Sequence, residues 1–153
     1  MRADFGFCSL GGGHRATPSR GAKRFEDLHA WKLTEELKEE TFRFTSKPPA
    51  SRDFKYCDQI RDSARSAPRN IAEGFGRHYP SAALPFYYIA LGSLNETFNH
   101  LIDGRKREFL DEEEFVRLRR LTFRAIKALR RLVDYLEGAS QRFNRKPSHS
   151  RRS

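Results

Sequence analysis

Two cysteines in 153 residues, Cys8 and Cys57, are too few for a disulfide framework, and neither stands in a CxxC pair. No signal-peptide pattern opens the chain, so this scarcity predicts a reducing, cytoplasmic location. No run approaches the roughly 18 consecutive apolar residues of a membrane span, which removes a membrane from the expected partners. Histidines are few and dispersed: His14 and His149 lie near the ends, and His78 and His100 stand alone, so no metal set forms. Gly11-Gly12-Gly13 lacks the Lys-Ser/Thr that completes a phosphate loop. No cofactor is expected from these patterns. Hydrophobic residues are also scarce, at 37%, while charged residues reach 33%. That balance fits one domain of long amphipathic helices, with 13 phenylalanines available for its core.

The formal charge of +10 is unevenly placed. Residues 1–24 carry Arg2, Arg15, Arg20, Lys23 and Arg24 against Asp4. Residues 138–153 carry Arg142, Arg145, Lys146, Arg151 and Arg152 and no acid. Residues 25–137 hold the other 20 bases and 19 acids and are nearly neutral. A pI near 10 favours nucleic acid or an anionic surface as partner, but much of the excess sits in the ends. Both ends, rich in Gly, Ser, Pro and Arg without periodicity, read as disordered basic tails.

Four helical stretches lie between them. The first runs from about Phe25 to Thr45 and stops before Pro48-Pro49. Its apolar residues fall in two stripes, Ala30, Leu33, Leu37 and Phe44 in one, Leu28, Trp31 and Phe42 in the other. One buried side needs one stripe, so the second predicts a further surface, such as another subunit. The alternative is a broad core face with Trp31 at its edge.

The second stretch starts at Asp53, a natural N-cap, and ends at Gly74, a natural residue just past a helix end. Ile60, Ala64, Ala67 and Ile71 give it a narrow buried stripe that also contains Pro68, and Cys57 beside it reads as a small core residue. The third stretch runs from Pro80-Ser81 to Lys106, with Tyr87, Leu91, Leu94, Phe98 and Leu101 inward. Gly92 and Ser93 in its middle predict a close-passing backbone. The fourth opens at Asp111 with Glu112, Glu113 and Glu114 and continues to Glu137, before Gly138. Leu118, Leu121, Ala125, Leu129, Leu132 and Leu136 form its apolar face. Four such helices with short links predict an all-α, antiparallel up-down-up-down four-helix bundle over residues 25–137.

The second and third stretches carry two signatures. Gln59-Ile60-Arg61, then Ser66-Ala67-Pro68-Arg69-Asn70-Ile71-Ala72-Glu73-Gly74 and Arg77, form the first. Ile89-Ala90-Leu91-Gly92-Ser93-Leu94-Asn95-Glu96 form the second. Together with Phe25-Glu26-Asp27-Leu28 and Trp31, they resemble the four-helix-bundle family also known as ribosomal-RNA intervening-sequence proteins. That family is related to the accessory proteins of diversity-generating retroelements. Asp62 stands where the family has a basic residue and Ala67 where it commonly has Ile. The resemblance implies a ring-like homo-oligomer, a pentamer, without a catalytic role. On it, Trp31, Arg61, Pro68, Asn70, Glu73, Gly74, Arg77, Gly92, Ser93 and Glu96 are structural or interface residues, their polar members tying helices or subunits together.

The fourth helix supplies the one constellation with functional promise. Arg117, Arg120, Arg124, Lys127 and Arg131 recur at i, i+3, i+7, i+10 and i+14, a basic stripe opposite the leucines. Arg119 and Arg130 flank it, and no acid stands between Glu114 and Asp134. A solvated helix face normally mixes signs. A line of cations suits a phosphate backbone, RNA or DNA, bound without sequence preference and with strong salt dependence. The competing reading pairs the stripe with the acids between Glu35 and Glu40. Phe123 is the one aromatic ring close to it.

Three functional readings follow. The foremost is a non-enzymatic homo-oligomeric scaffold that binds nucleic acid, with a nucleic-acid-processing protein as a further candidate partner. The second is a purely structural or protein-interaction module. The weakest is a small helical ribonuclease built on Arg24 and His29, whose spacing fits an Arg-x4-His motif but has no second polar partner.

Overall fold

The helix signals in the sequence become four α-helices in a computed structural model that describes residues 21–144. These are α1 (His29–Thr45), α2 (Phe54–Phe75), α3 (Pro80–Lys106) and α4 (Glu112–Asn144). Short 3-10 turns at Phe25–Asp27 and Ala50–Arg52 precede α1 and α2. Among the described residues there is no strand. The basic tails expected at the two ends lie mostly outside the described residues.

The polar starts act as the sequence requires. Asp53 Oδ1 accepts the Tyr56 N–H at 2.9 Å, and Asp111 Oδ1 accepts the Glu114 N–H at 2.7 Å. Pro80 opens α3, where its missing N–H costs nothing.

Two glycines do not end helices as expected. Helix α2 runs past Gly74 to Phe75 and is closed by Gly76, whose N–H reaches the carbonyls of Ala72 and Glu73. Gly74 is instead a crossing point: a Cβ there would lie 2.8 Å from Tyr87 Cε1 and 3.2 Å from the Ala83 carbonyl. Helix α4 likewise continues through Gly138 to Asn144, so residues 138–144 are helix and not tail. Leu132, Val133 and Leu136 still anchor its inner face in the preceding turns, and no proline stands between Gly138 and Asn144. The cost of one glycine, about 1 kcal/mol, is smaller than that anchoring.

The α3–α4 turn is set by backbone bonds. The Phe109 N–H returns to the Gly104 carbonyl at 2.8 Å and the Glu108 N–H to that of Arg105 at 3.1 Å. This pairing places Glu108 in the left-handed region, at φ 61°.

Contacts across the helices fix their directions. Ser63 meets Thr97, Ser66 meets Ser93, and Gly74 meets Ala83 and Tyr87, so α2 and α3 run antiparallel. Phe98 packs on Phe123 while Tyr88 bonds Glu137, so α3 and α4 do too. Arg61 at the start of α2 reaches Thr45 at the end of α1. Glu40, late in α1, meets Arg117, early in α4. The main pairings are α1–α2, α2–α3, α3–α4 and α4–α1, the order of an up-down-up-down bundle. Its centre holds Leu37, Ile60, Ile71, Leu94, Leu101, Leu118 and Leu129, each nearly or fully buried.

Polar residues inside the bundle are satisfied locally. Thr41 Oγ1 donates to the Leu37 carbonyl and Thr45 Oγ1 to that of Thr41, one turn back. The Cys57 thiol donates to the Ala50 carbonyl at 3.2 Å, in keeping with a core role.

Candidate nucleic-acid interface

Helix α4 presents two opposite faces because its sequence separates them. Leu118, Leu121, Ala125, Leu129, Leu132 and Leu136 are all buried. Arg117, Arg120, Arg124, Lys127 and Arg131 are all exposed, as are Arg119 and Arg130. The stripe is therefore a surface of the bundle and not part of its interior.

Its members differ in what they touch. Arg117 Nη1 lies 2.5 Å from Glu40 Oε2 on α1, and its Nη2 lies 3.9 Å from Glu114. Oε2 of Glu40 accepts no well-directed hydrogen bond, so the Arg117 contact is an ion pair first. Glu40 also bonds Arg43 on its own helix. Burial by itself raises the Glu40 carboxyl, but Arg117 and then Arg43 outweigh it and hold the group below the usual carboxylate range. The reading in which acids of α1 neutralise the stripe thus applies to Arg117. Glu35 bonds Lys38 instead. Among the described residues, Arg120, Arg124, Lys127 and Arg131 have no ion-pair partner. Arg120 to Arg131 spans about 17 Å of helix axis. Val116, Arg119, Arg120, Phe123, Arg124 and Lys127 together line a shallow groove with an apolar floor.

The signature residues of α2 and α3 separate into those that tie helices and those that do not. Arg61 Nε donates to Thr45 Oγ1 at 2.8 Å and its guanidinium lies 5.1 Å from the centre of the Phe42 ring, joining α2 to α1. Ser93 is buried and donates to Ser66 Oγ at 2.7 Å. Asn70 Nδ2 donates to the carbonyl of Ser66 and lies 3.1 Å from its Oγ, and Thr97 Oγ1 donates to Ser63 Oγ at 3.0 Å. These groups form a polar seam between α2 and α3. Ser63 and Thr97 were not singled out from sequence, and Ser66 only as the opening of the first signature, although a Ser-x2-Ser step facing a Ser-x3-Thr step carries the signal.

Other signature residues act near the ends of their helices or along one helix. Glu73 pairs with Arg77, whose guanidinium stacks 4.5 Å from the Phe86 ring centre of α3. Among the described residues, Glu96 reaches only His100, at 3.8 Å. Gly92 is exposed, and a Cβ there would meet nothing within 4 Å, so among the described residues no backbone passes close beside it as expected. Gly104 is where a neighbour does press, with Tyr56 Oη 2.2 Å from a Cβ position. Pro68 is buried inside α2.

The second stripe of α1 finds much of its cover within the chain. Leu28 and Trp31 pack on the core half-buried, and the Phe25 ring meets Trp31 edge-on at 5.3 Å. Arg65 lies 4.6 Å from the ring centre of Phe42. A groove remains between α1 and α2, lined by Trp31, Phe42, Pro68 and Ala72 and rimmed by Glu35, Glu39, Arg65 and Arg69. Arg24 and His29 are exposed, and Arg24 uses its backbone N–H and guanidinium on Asp27 and Glu26. No helix is long and apolar enough to cross a membrane among the described residues.

Comparison with known proteins agrees with this architecture. The chain is similar, at 19% identity and a TM-score of 0.65, to a solved Bacteroides thetaiotaomicron protein of unknown function from the S23 ribosomal protein family. The likeness covers 71% of this chain and 98% of that one. No curated protein matches the chain. The family model of the 23S rRNA-intervening sequence protein matches residues 26–131, from the turn before α1 to the last cation of the α4 stripe. With four helices in that family's span and its model matched over more than half of the sequence, the chain belongs to the 23S rRNA-intervening sequence protein family.

Proposed function

We propose that this chain is a non-enzymatic helical scaffold that binds RNA or DNA through the outer face of α4. The observation that carries the reading is the state of Arg120, Arg124, Lys127 and Arg131: exposed, aligned, and without an acid partner among the described residues. A run of cations held on a rigid helix neutralises phosphates and releases their counterions, with no need for base-specific contacts. The rigidity comes from the leucine face beneath; the acids Glu112 and Glu113 share a groove with Arg117, Arg120 and Arg124 but form no ion pair with Arg120 or Arg124.

The scaffold reading also includes self-association. The α1–α2 groove supports it, because Trp31, Phe42, Pro68 and Ala72 give it an apolar floor open to a second copy, although Lys38 already pairs with Glu35 and Glu39 on its α1 rim. Several copies in one particle would present several stripes and raise avidity without new contacts.

Charge reversal tests the binding reading. Arg120→Glu with Arg124→Glu in the full chain is expected to abolish retention of a labelled oligonucleotide at low salt while leaving the helical content unchanged. Retention undiminished by the pair of reversals contradicts it. Light scattering of the full chain, with Trp31→Glu as the disrupting variant, tests self-association; a wild-type monomer contradicts it.

A further inference from the structure

Among the described side chains of α4, Phe123 is the exposed large apolar one, and it stands among the cations of the stripe. The residue is 46% exposed, although the helix has a buried face on which a phenylalanine would gain by packing. The ring is also held in place. Phe98 of α3 supports it at 5.0 Å between centroids, tilted by 57°, and the Arg119 guanidinium lies 5.6 Å from its centre. Arg120, Arg124 and Lys127 share its groove. A rigidly backed aromatic surface inside a cationic groove is the arrangement on which unpaired bases stack, because every base has a π-face and its phosphates find the surrounding charges. A duplex offers this ring nothing, since its bases are already stacked on one another.

We infer that Phe123 is a stacking platform for an unpaired nucleobase, so that the ligand of the α4 face is a single-stranded nucleic acid. This inference rests on the proposed nucleic-acid binding and narrows it to one class of strand. Arg119, whose guanidinium lies over the ring in the free chain, then moves off it to let the base in and meets the base plane or the adjoining phosphate. The other exposed apolar residues, Phe54, Tyr79, Tyr88 and Ile89, belong to other elements and are not in this groove.

The test uses the full chain and its Phe123→Leu and Phe123→Tyr variants. Affinity is measured for a uridine homopolymer of about 15 nucleotides, its thymidine DNA counterpart, and an abasic strand of the same length. Phe123→Leu is expected to weaken both base-bearing strands by about tenfold and to leave the abasic strand as in wild type. Phe123→Tyr is expected to retain wild-type affinity. Loss confined to the RNA or to the DNA arm still supports stacking and assigns the sugar. An equal loss on the abasic strand overturns the inference, because the ring would then be supporting the cations and not a base. Unchanged binding in Phe123→Leu, with weakened binding in Arg124→Gln, overturns the stacking inference and leaves the basic-stripe reading standing. A wild-type chain that binds none of the three strands at low salt overturns both.

Discussion

Glu40 on α1 takes Arg117 of α4 out of the basic stripe, the two side chains meeting at 2.5 Å. The pair does structural work, joining the first and last helices near one end of the bundle, and it marks where the stripe available to a ligand begins. Arg117→Gln is expected to lower nucleic-acid affinity less than Arg124→Gln does. Equal losses in a direct binding titration would show that Arg117 leaves Glu40 to join the ligand.

The same pair gives a pH dependence with a defined sign. Glu40 has a folded pKa below its unfolded value, so its contribution is present above the unfolded carboxylate range and is lost as pH falls through the folded value. Thermal melts of wild type and Glu40→Gln are expected to converge as pH drops from about 5 to 3, the wild type losing more. Parallel curves over that range would mean that the pair contributes nothing.

Tyr56 and Gly104 are packed so closely that α3 has no room for a methyl group there. The Tyr56 hydroxyl donates to the His100 carbonyl at 2.8 Å and sits 2.2 Å from where a Gly104 Cβ would be. Gly104→Ala is therefore expected to destabilise by about 1–3 kcal/mol, although alanine is the better helix former. Tyr56→Phe removes the clashing oxygen, so the double variant should be less destabilised than the sum of the two single ones. Additive losses in urea melts would contradict the close contact.

Gly92 behaves in the opposite way. With nothing near a Cβ at this position, Gly92→Ala is expected to stabilise the chain by up to about 1 kcal/mol. A loss of stability that grows with protein concentration would place a partner backbone at Gly92.

Glu108 holds a left-handed conformation between α3 and α4 without being glycine. Glu108→Gly is expected to raise stability by about 1 kcal/mol, since glycine meets no Cβ penalty there. Unchanged or lower stability would indicate that the Glu108 side chain compensates.

Much of the bundle was legible in the sequence because its signals are local. Asp53, Pro80 and Asp111 announce helix starts, and the heptad-like leucines of α4 announce its buried face. What was not legible depended on distant partners. Gly74 looks like a helix end until Tyr87 arrives from α3, and Gly138 looks like a stop although Leu132, Val133 and Leu136 hold the turns before it in the core. Gly92 and Gly104 are indistinguishable as residues, yet one faces open space and the other Tyr56. The stripe itself was legible, being one face of one helix. Its division at Arg117 was not, because Glu40 is 77 residues away in the sequence.

The most direct test of the basic stripe is the salt dependence of binding to a single-stranded oligonucleotide, for the full chain and for Arg120→Gln/Arg124→Gln/Lys127→Gln/Arg131→Gln. Loss of four phosphate contacts is expected to flatten the slope of log K against log salt by about 3 and to weaken binding at every salt concentration. A slope and affinity equal to wild type would contradict the α4 face as the nucleic-acid interface and return this bundle to a purely structural role.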